Sequence, residues 1–242
     1  MGLARLLPRP NVRPASGAAP GSATVIAFAN QKGGVAKTTT TLNLGVAFAE
    51  KGLRVLCIDL DPQGNLTMSQ GMNPDTIERS MFDVLVHRAP ITDVIATREV
   101  DVAVASIDLA GADMALSSQI GRERALQKAL DPVKSEYDYI LIDTPPSLGL
   151  LTINAFVAST GVIVPVQTEY LSLRGLVQLE NTLEMVRENF GKLVFNTRIR
   201  KTIRYAEAPV RGSSIIAYEP DGEAAALYRD LAKEVLNGEK AR

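Results

Sequence analysis

A doubly wound α/β fold, with a mostly parallel sheet and helices on both faces, is predicted by three features of this 242-residue sequence. From Thr24 onward, short β-branched or apolar runs alternate with longer helical patterns, the mark of strand–helix–strand units on a parallel sheet. The first run passes directly into a glycine- and lysine-rich stretch that opens a helical pattern. Two later runs lead into aspartates, at the strand ends where open α/β sheets bind ligands.

The expected strands are 25–29, 55–58, 102–105, 139–142 and 162–166, all built from Val, Ile, Leu, Ala or an aromatic residue except for Cys57 and Pro165. Between and after them the apolar spacing fits helices at about 39–51, 122–130, 150–158 and 173–189. A last helix at about 223–236 would pack on the sheet through Ala226, Leu227, Leu231, Val235 and Leu236. Residues 1–23 are rich in Ala, Gly and Pro, carry Arg5, Arg9 and Arg13, and hold no acid. Such a composition buries too little apolar surface to offset ordering, so it reads as a flexible tail ahead of a single domain over 24–242. The chain is 46% hydrophobic and 22% charged, as ordinary globular proteins are. Its apolar runs are strand-sized and far short of the roughly 20 residues that span a bilayer. Cys57 is the single cysteine, which excludes an intrachain disulfide or a cysteine-ligated cluster. With a net charge of −1, affinity for nucleic acid has to come from a local patch.

The first strand leads into Asn30-Gln31-Lys32-Gly33-Gly34-Val35-Ala36-Lys37-Thr38-Thr39. A nucleotide triphosphate is a cluster of negative charge, met by backbone N–H groups at a helix N-terminus, glycines that let the backbone approach, and a lysine. Gly33, Gly34, Val35, Ala36, Lys37, Thr38 and Thr39 are the expected cradle. The usual loop has two glycines spaced by four residues before Lys-Ser/Thr; Gln31 and Ala36 stand at those places here, so the loop is a variant. The strands at 55–58 and 139–142 run into Asp59-Leu60-Asp61-Pro62-Gln63-Gly64-Asn65 and Asp143-Thr144-Pro145-Pro146-Ser147. Phosphoryl transfer needs a cation near the phosphates and a group orienting the attacking water, and aspartates at these strand ends can do both. Either aspartate segment alone reads equally well as a turn or helix cap.

The loop phrase resembles that of the ParA/MinD/Soj ATPases, the deviant P-loop NTPases, and is most similar to the chromosome-partitioning ParA or Soj type. The resemblance implies ATP and Mg²⁺ as cofactors, with Thr38 ligating the metal and Asp143 holding it through water. It places Asp61 in the first switch near the metal, positioning the hydrolytic water. It gives Lys37 the phosphate charge, and has Lys32 reach across a dimer interface to the partner's nucleotide. Lys32, Lys37 and Asp61 are the catalytic candidates. It further implies an ATP-dependent homodimer, cytoplasmic and nucleoid-associated, that binds double-stranded DNA non-specifically and drives chromosome or plasmid partition with a ParB-like partner.

Residues 192–211 hold Lys192, Arg198, Arg200, Lys201, Arg204 and Arg211 against Glu207, a balance suited to phosphate contacts. Arg198, Arg200, Lys201, Arg204 and Arg211 are the DNA-binding candidates as a group. The family has a strand and a helix between the helix matching 173–189 and a segment like 193–197; here Gly191 and Lys192 intervene, so about 30 residues are absent and the domain is shortened near 190–192. A membrane-cycling MinD-like ATPase is the rival reading, disfavoured by an end (Asn237-Gly238-Glu239-Lys240-Ala241-Arg242) without an apolar face. An inactive scaffold produced by the missing segment is another. An iron–sulfur reductase with a similar loop needs more cysteine than Cys57. His87 is isolated and reads as a surface or helix-end residue, and Arg174 as a candidate for an interface or a DNA face.

Overall fold

The computed structural model describes residues 23–167 and 193–239. The tail up to residue 22, the helix expected at 173–189, Arg174 and the junction at 190–192 with Lys192 lie outside them. Six strands form one sheet in the order β3-β4-β2-β5-β1-β6. The strands are β1 (Thr24–Phe28), β2 (Val55–Asp59), β3 (Ile95–Thr97), β4 (Asp101–Ala103), β5 (Tyr139–Asp143) and β6 (Gly161–Ile163). All pairings are parallel except β3 with β4. β1, β2 and β5 have nearly every residue buried, which is why they read as continuous apolar runs instead of alternating ones.

Helix α1 (Lys37–Ala49) covers one face. A Cβ added at its Gly45 would meet the Cys57 sulfur and side-chain atoms of Val55 and Leu141, so this glycine lets the helix lie close on β2 and β5. The short helices α2 (Asn65–Met68), α3 (Met81–Val86), α4 (Ala112–Leu116) and α5 (Ala125–Leu130) lead to α6 (Leu150–Ala158). The group α3 to α6 packs together, with α6 reaching β1. The chain closes with α7 (Arg204–Val210), α8 (Ile215–Tyr218) and α9 (Glu223–Glu239). Among the described residues no helix is long and apolar enough to cross a membrane.

Several sequence expectations are corrected. β6 stops at Ile163 instead of running to 166: Pro165 has no N–H to continue a ladder, and Val164 and Val166 are exposed. The strand expected at 102–105 starts one residue earlier and ends at Ala103, and the hairpin partner β3 went unread. Residues 122–124 form a 3₁₀ turn ahead of α5. Ala23, assigned to the tail, is buried and donates to the Lys134 carbonyl. The last helix packs on α1 instead of the sheet, burying Ala224, Ala225, Tyr228, Leu231, Ala232 and Val235 while Ala226 is exposed. Cys57 lies in the core, and His87 ends α3 at the surface, as expected of the histidine.

The chain re-enters at Leu193 and is fastened at once. Glu234 of α9 accepts from the backbone N–H and side chain of both Asn196 and Thr197, at 2.6 to 3.1 Å.

Candidate active site

The carboxyl ends of β1, β2 and β5 lie side by side, and the register sets Asp143 against both Phe28 and Asp59. The loop leaving β1 turns through Gly34 and Ala36, both left-handed with φ of +73° and +63°. For alanine that conformation costs about 1 kcal/mol, and Ala36 adopts it where the usual loop has glycine. α1 then begins without a side-chain cap. Among the described residues, none of the backbone N–H groups from Gly33 to Thr39 donates to a protein acceptor. Unused N–H groups at the head of a 13-residue helix form an anion cradle with the positive end of the helix dipole behind it. Lys37 is buried at its rim. Lys32 is exposed.

Three carboxylates surround this cradle. Asp143 is fully buried; its Oδ2 accepts from the Thr38 hydroxyl at 2.6 Å, while its Oδ1 has no partner. Asp59 is equally buried. Its Oδ2 takes the Thr67 N–H and hydroxyl at 2.9 and 2.7 Å and its Oδ1 takes the Asp61 N–H at 3.2 Å, so it ties α2 to the end of β2. Asp61 accepts from the Gln63 N–H at 3.0 Å. Burial raises the pKa of all three; the negative charge of Asp59 raises Asp143 further, and Lys37 pulls Asp61 and Asp143 back down. The structure thus gathers Lys37, Thr38, Asp61 and Asp143 at one end of the sheet.

Thr38 and the free oxygen of Asp143 are hard donors of the kind a small divalent cation takes. Among the described residues no group of three or more His, Cys, Asp or Glu is placed to hold a metal ion alone, so a cation here would complete its shell with ligand phosphates and water. Asp59 is the residue that sequence reasoning passed over. It stands two places before Asp61, but its register with Asp143 is a tertiary fact.

The basic segment is less free than its sequence implies. Arg200 pairs with Glu223 at 2.9 Å, and Arg204 with Glu207 at 2.8 Å and Glu219 at 3.7 Å. Arg198, Lys201 and Arg211 are exposed. The segment is bolted to the nucleotide side: the Ile215 N–H donates to Asn43 of α1 at 2.8 Å, and Gly212, with φ of +67°, touches Gly71 beyond α2 so closely that a Cβ would lie 2.9 Å from the Gly71 Cα.

A family model described as an AAA domain matches residues 23–199. The sporulation initiation inhibitor protein Soj of Bacillus subtilis is 44% identical over 246 positions, covering 87% of this chain and 97% of that protein. The chromosome partitioning protein ParA of Caulobacter vibrioides is 36% identical, covering 90% and 96%. Among solved structures, cobyrinic acid a,c-diamide synthase from Mycobacterium smegmatis with bound ATP analog and magnesium has a TM-score of 0.68 at 34% identity, covering 90% and 96%. In the Soj alignment 87% of 242 residues is about 211, so about 35 of the 246 positions have no counterpart here.

Proposed function

Because the chain belongs to the ParA/Soj family of P-loop ATPases, we propose that it is an ATP-dependent dimerising switch that hydrolyses ATP. On this reading it binds DNA non-specifically and drives chromosome or plasmid partition with a ParB-like partner. The observation that carries the reading is the row of unused N–H groups from Gly33 to Thr39, flanked by Lys37 and by an Asp143 oxygen left without a partner. That arrangement suits a triphosphate with its cation: seven donors for anionic oxygens, one buried ammonium, and hard oxygens for Mg²⁺. Thr38 and Asp143 would hold the metal, with Asp61 beside it. When bound, Mg²⁺ supplies charge neutralisation across the phosphates.

Lys37 neutralises charge from within the chain. Asp61, four residues before α2, orients the attacking water. Lys32 projects from the loop instead of folding into it, and reaches the nucleotide of a second copy. Triphosphate then favours the closed dimer, and loss of the γ-phosphate releases it. Arg198, Arg200, Lys201, Arg204 and Arg211 supply phosphate contacts to duplex DNA, with Arg200 and Arg204 exchanging their acidic partners for DNA phosphates. The working place is the nucleoid in the cytoplasm, without stable membrane binding.

The test is ATP binding and hydrolysis by the purified chain, with and without random duplex DNA. Micromolar ATP binding that requires Lys37, slow hydrolysis, and DNA binding that appears with ATP and weakens with salt are the expected results. Absence of both binding and hydrolysis would favour an inactive scaffold, a reading for which the positions missing relative to Soj speak.

A further inference from the structure

Asn30 stands between β1 and the phosphate loop, and both ends of its side chain are in use. Its Oδ1 accepts the backbone N–H of Lys32 at 2.9 Å, an Asx turn that fixes the direction in which Lys32 leaves the loop. Its Nδ2 donates to the Pro165 carbonyl at 2.8 Å. The last backbone rung between the first strand and the edge strand runs from the Ala29 N–H to the Ile163 carbonyl at 3.1 Å. Asn30 therefore adds one further rung, made by a side chain, where β6 has ended.

On the other side of Lys32 the chain is unrestrained by packing. Gly33 and Gly34 are exposed, and a Cβ built on either meets nothing within 4 Å. Two consecutive glycines with open surroundings carry the largest backbone freedom of any pair. The backbone of Lys32 is thus held from one side, through the Asn30 side-chain oxygen Oδ1. Lys37 is different: it is buried, and its own carbonyl accepts the Thr41 hydroxyl at 3.0 Å inside α1.

We propose that Asn30 is a positioning residue for Lys32, whose Asx turn presets the lysine toward the nucleotide of a second copy, so that it governs ATP-dependent dimerisation and not ATP binding. The inference rests on the reading of Lys32 given above. A lysine whose Cα–Cβ direction is fixed pays less ordering entropy when it docks, and the gain is realised only in the dimer.

The experiment measures two quantities, nucleotide affinity with a fluorescent ATP analogue and self-association by light scattering with a non-hydrolysable ATP analogue, in Asn30→Ala, Asn30→Ser and Lys32→Ala. Asn30→Ala is expected to weaken the dimer about tenfold with nucleotide affinity changed less than about threefold. Serine can still accept the Lys32 N–H but cannot reach Pro165, so Asn30→Ser should restore most of the association. Equal loss in the Ser and Ala variants would assign the effect to the Pro165 rung and overturn the proposal, as would an Asn30→Ala protein that associates like the parent. Thermal melting of each variant separates these outcomes from unfolding. If Lys32→Ala associates normally, the role of Lys32 itself fails and the inference with it. If Lys32→Ala loses association while Asn30→Ala keeps it, the role of Asn30 alone fails.

Discussion

Replacing Asp143 by Asn isolates the cost of holding a carboxylate at the floor of the site. Asp143 is fully buried, one oxygen has no partner, and Asp59, also fully buried, is its register neighbour on the adjacent strand. An unsatisfied buried polar atom costs about 1–3 kcal/mol. Neighbouring strands lie about 5 Å apart, and two carboxylates at that separation repel by about 3 kcal/mol at an effective dielectric of about 20 if both are charged. Asparagine keeps an acceptor for the Thr38 hydroxyl and removes the charge; its Nδ2 inherits the unpartnered position, so the gain comes from the charge alone. The ligand-free Asp143→Asn protein is therefore expected to be more stable than the parent at pH 7.5 by about 1–3 kcal/mol, or several degrees in melting temperature for a chain of this size.

The sign of the pH dependence follows from the same burial. The folded Asp143 pKa lies well above its ordinary value, so folding takes up a proton between the unfolded and folded values. Its contribution to stability is fully present below the unfolded pKa, near 4, and is lost as pH rises through the folded one. The difference between variant and parent should thus be large at pH 7.5 and shrink toward pH 4, with the carboxylates remote from Asp143 cancelling in the comparison. Mg²⁺-nucleotide at a hundred times its dissociation constant should stabilise the parent by about 2.7 kcal/mol and the variant by much less. Calorimetry at several pH values reads all of this. A variant less stable than the parent at pH 7.5, or a gap that widens on acidification, would refute the account.

Asp61→Asn should leave nucleotide binding within a few-fold and reduce turnover by about 10² or more, read as phosphate release against equilibrium binding. Neutralising Arg198, Lys201 and Arg211 together should lower the slope of log affinity against log salt on random duplex DNA by about 2 to 3, and an unchanged slope would remove these residues from the interface. Glu234→Ala severs all four bonds that fasten Asn196 and Thr197. It should cost about 1–3 kcal/mol in urea unfolding without changing nucleotide affinity.

What the sequence disclosed followed physical locality. The loop phrase, the strands on either side of α1 and both aspartate segments are short and contiguous, and each carries its own backbone logic: apolar runs for buried parallel strands, glycines for the turn, a helix opening at Lys37. Asp59 was hidden because its importance lies in the pairing of β2 with β5, a relation between residues 84 apart in number. The hairpin of β3 and β4 was hidden because Ile-Ala-Thr is too short to show a period. Arg200 looked free because its partner Glu223 comes from beyond the basic stretch, as does Glu219, the second partner of Arg204 after Glu207. Sequence spacing finds motifs made within one turn of chain and misses charges brought together by topology.

The two lysines of the loop therefore depend on different parts of the molecule. Lys37 and Thr38 are held by α1, by Asp143 at the centre of the sheet, and by a core that the C-terminal helices complete through Asn43 and Tyr228. None of these restraints comes from the outer side of β6. Lys32 is held through Asn30, whose other bond ends on Pro165, two residues past a three-residue edge strand. The positions that Soj has and this chain lacks number about 35. On the sequence expectation that they fall near 190–192, past β6, their loss would touch the support of Lys32 before that of Lys37. The shortened chain should consequently keep its grip on phosphate and differ from its relatives first in how tightly two ATP-bound copies hold each other.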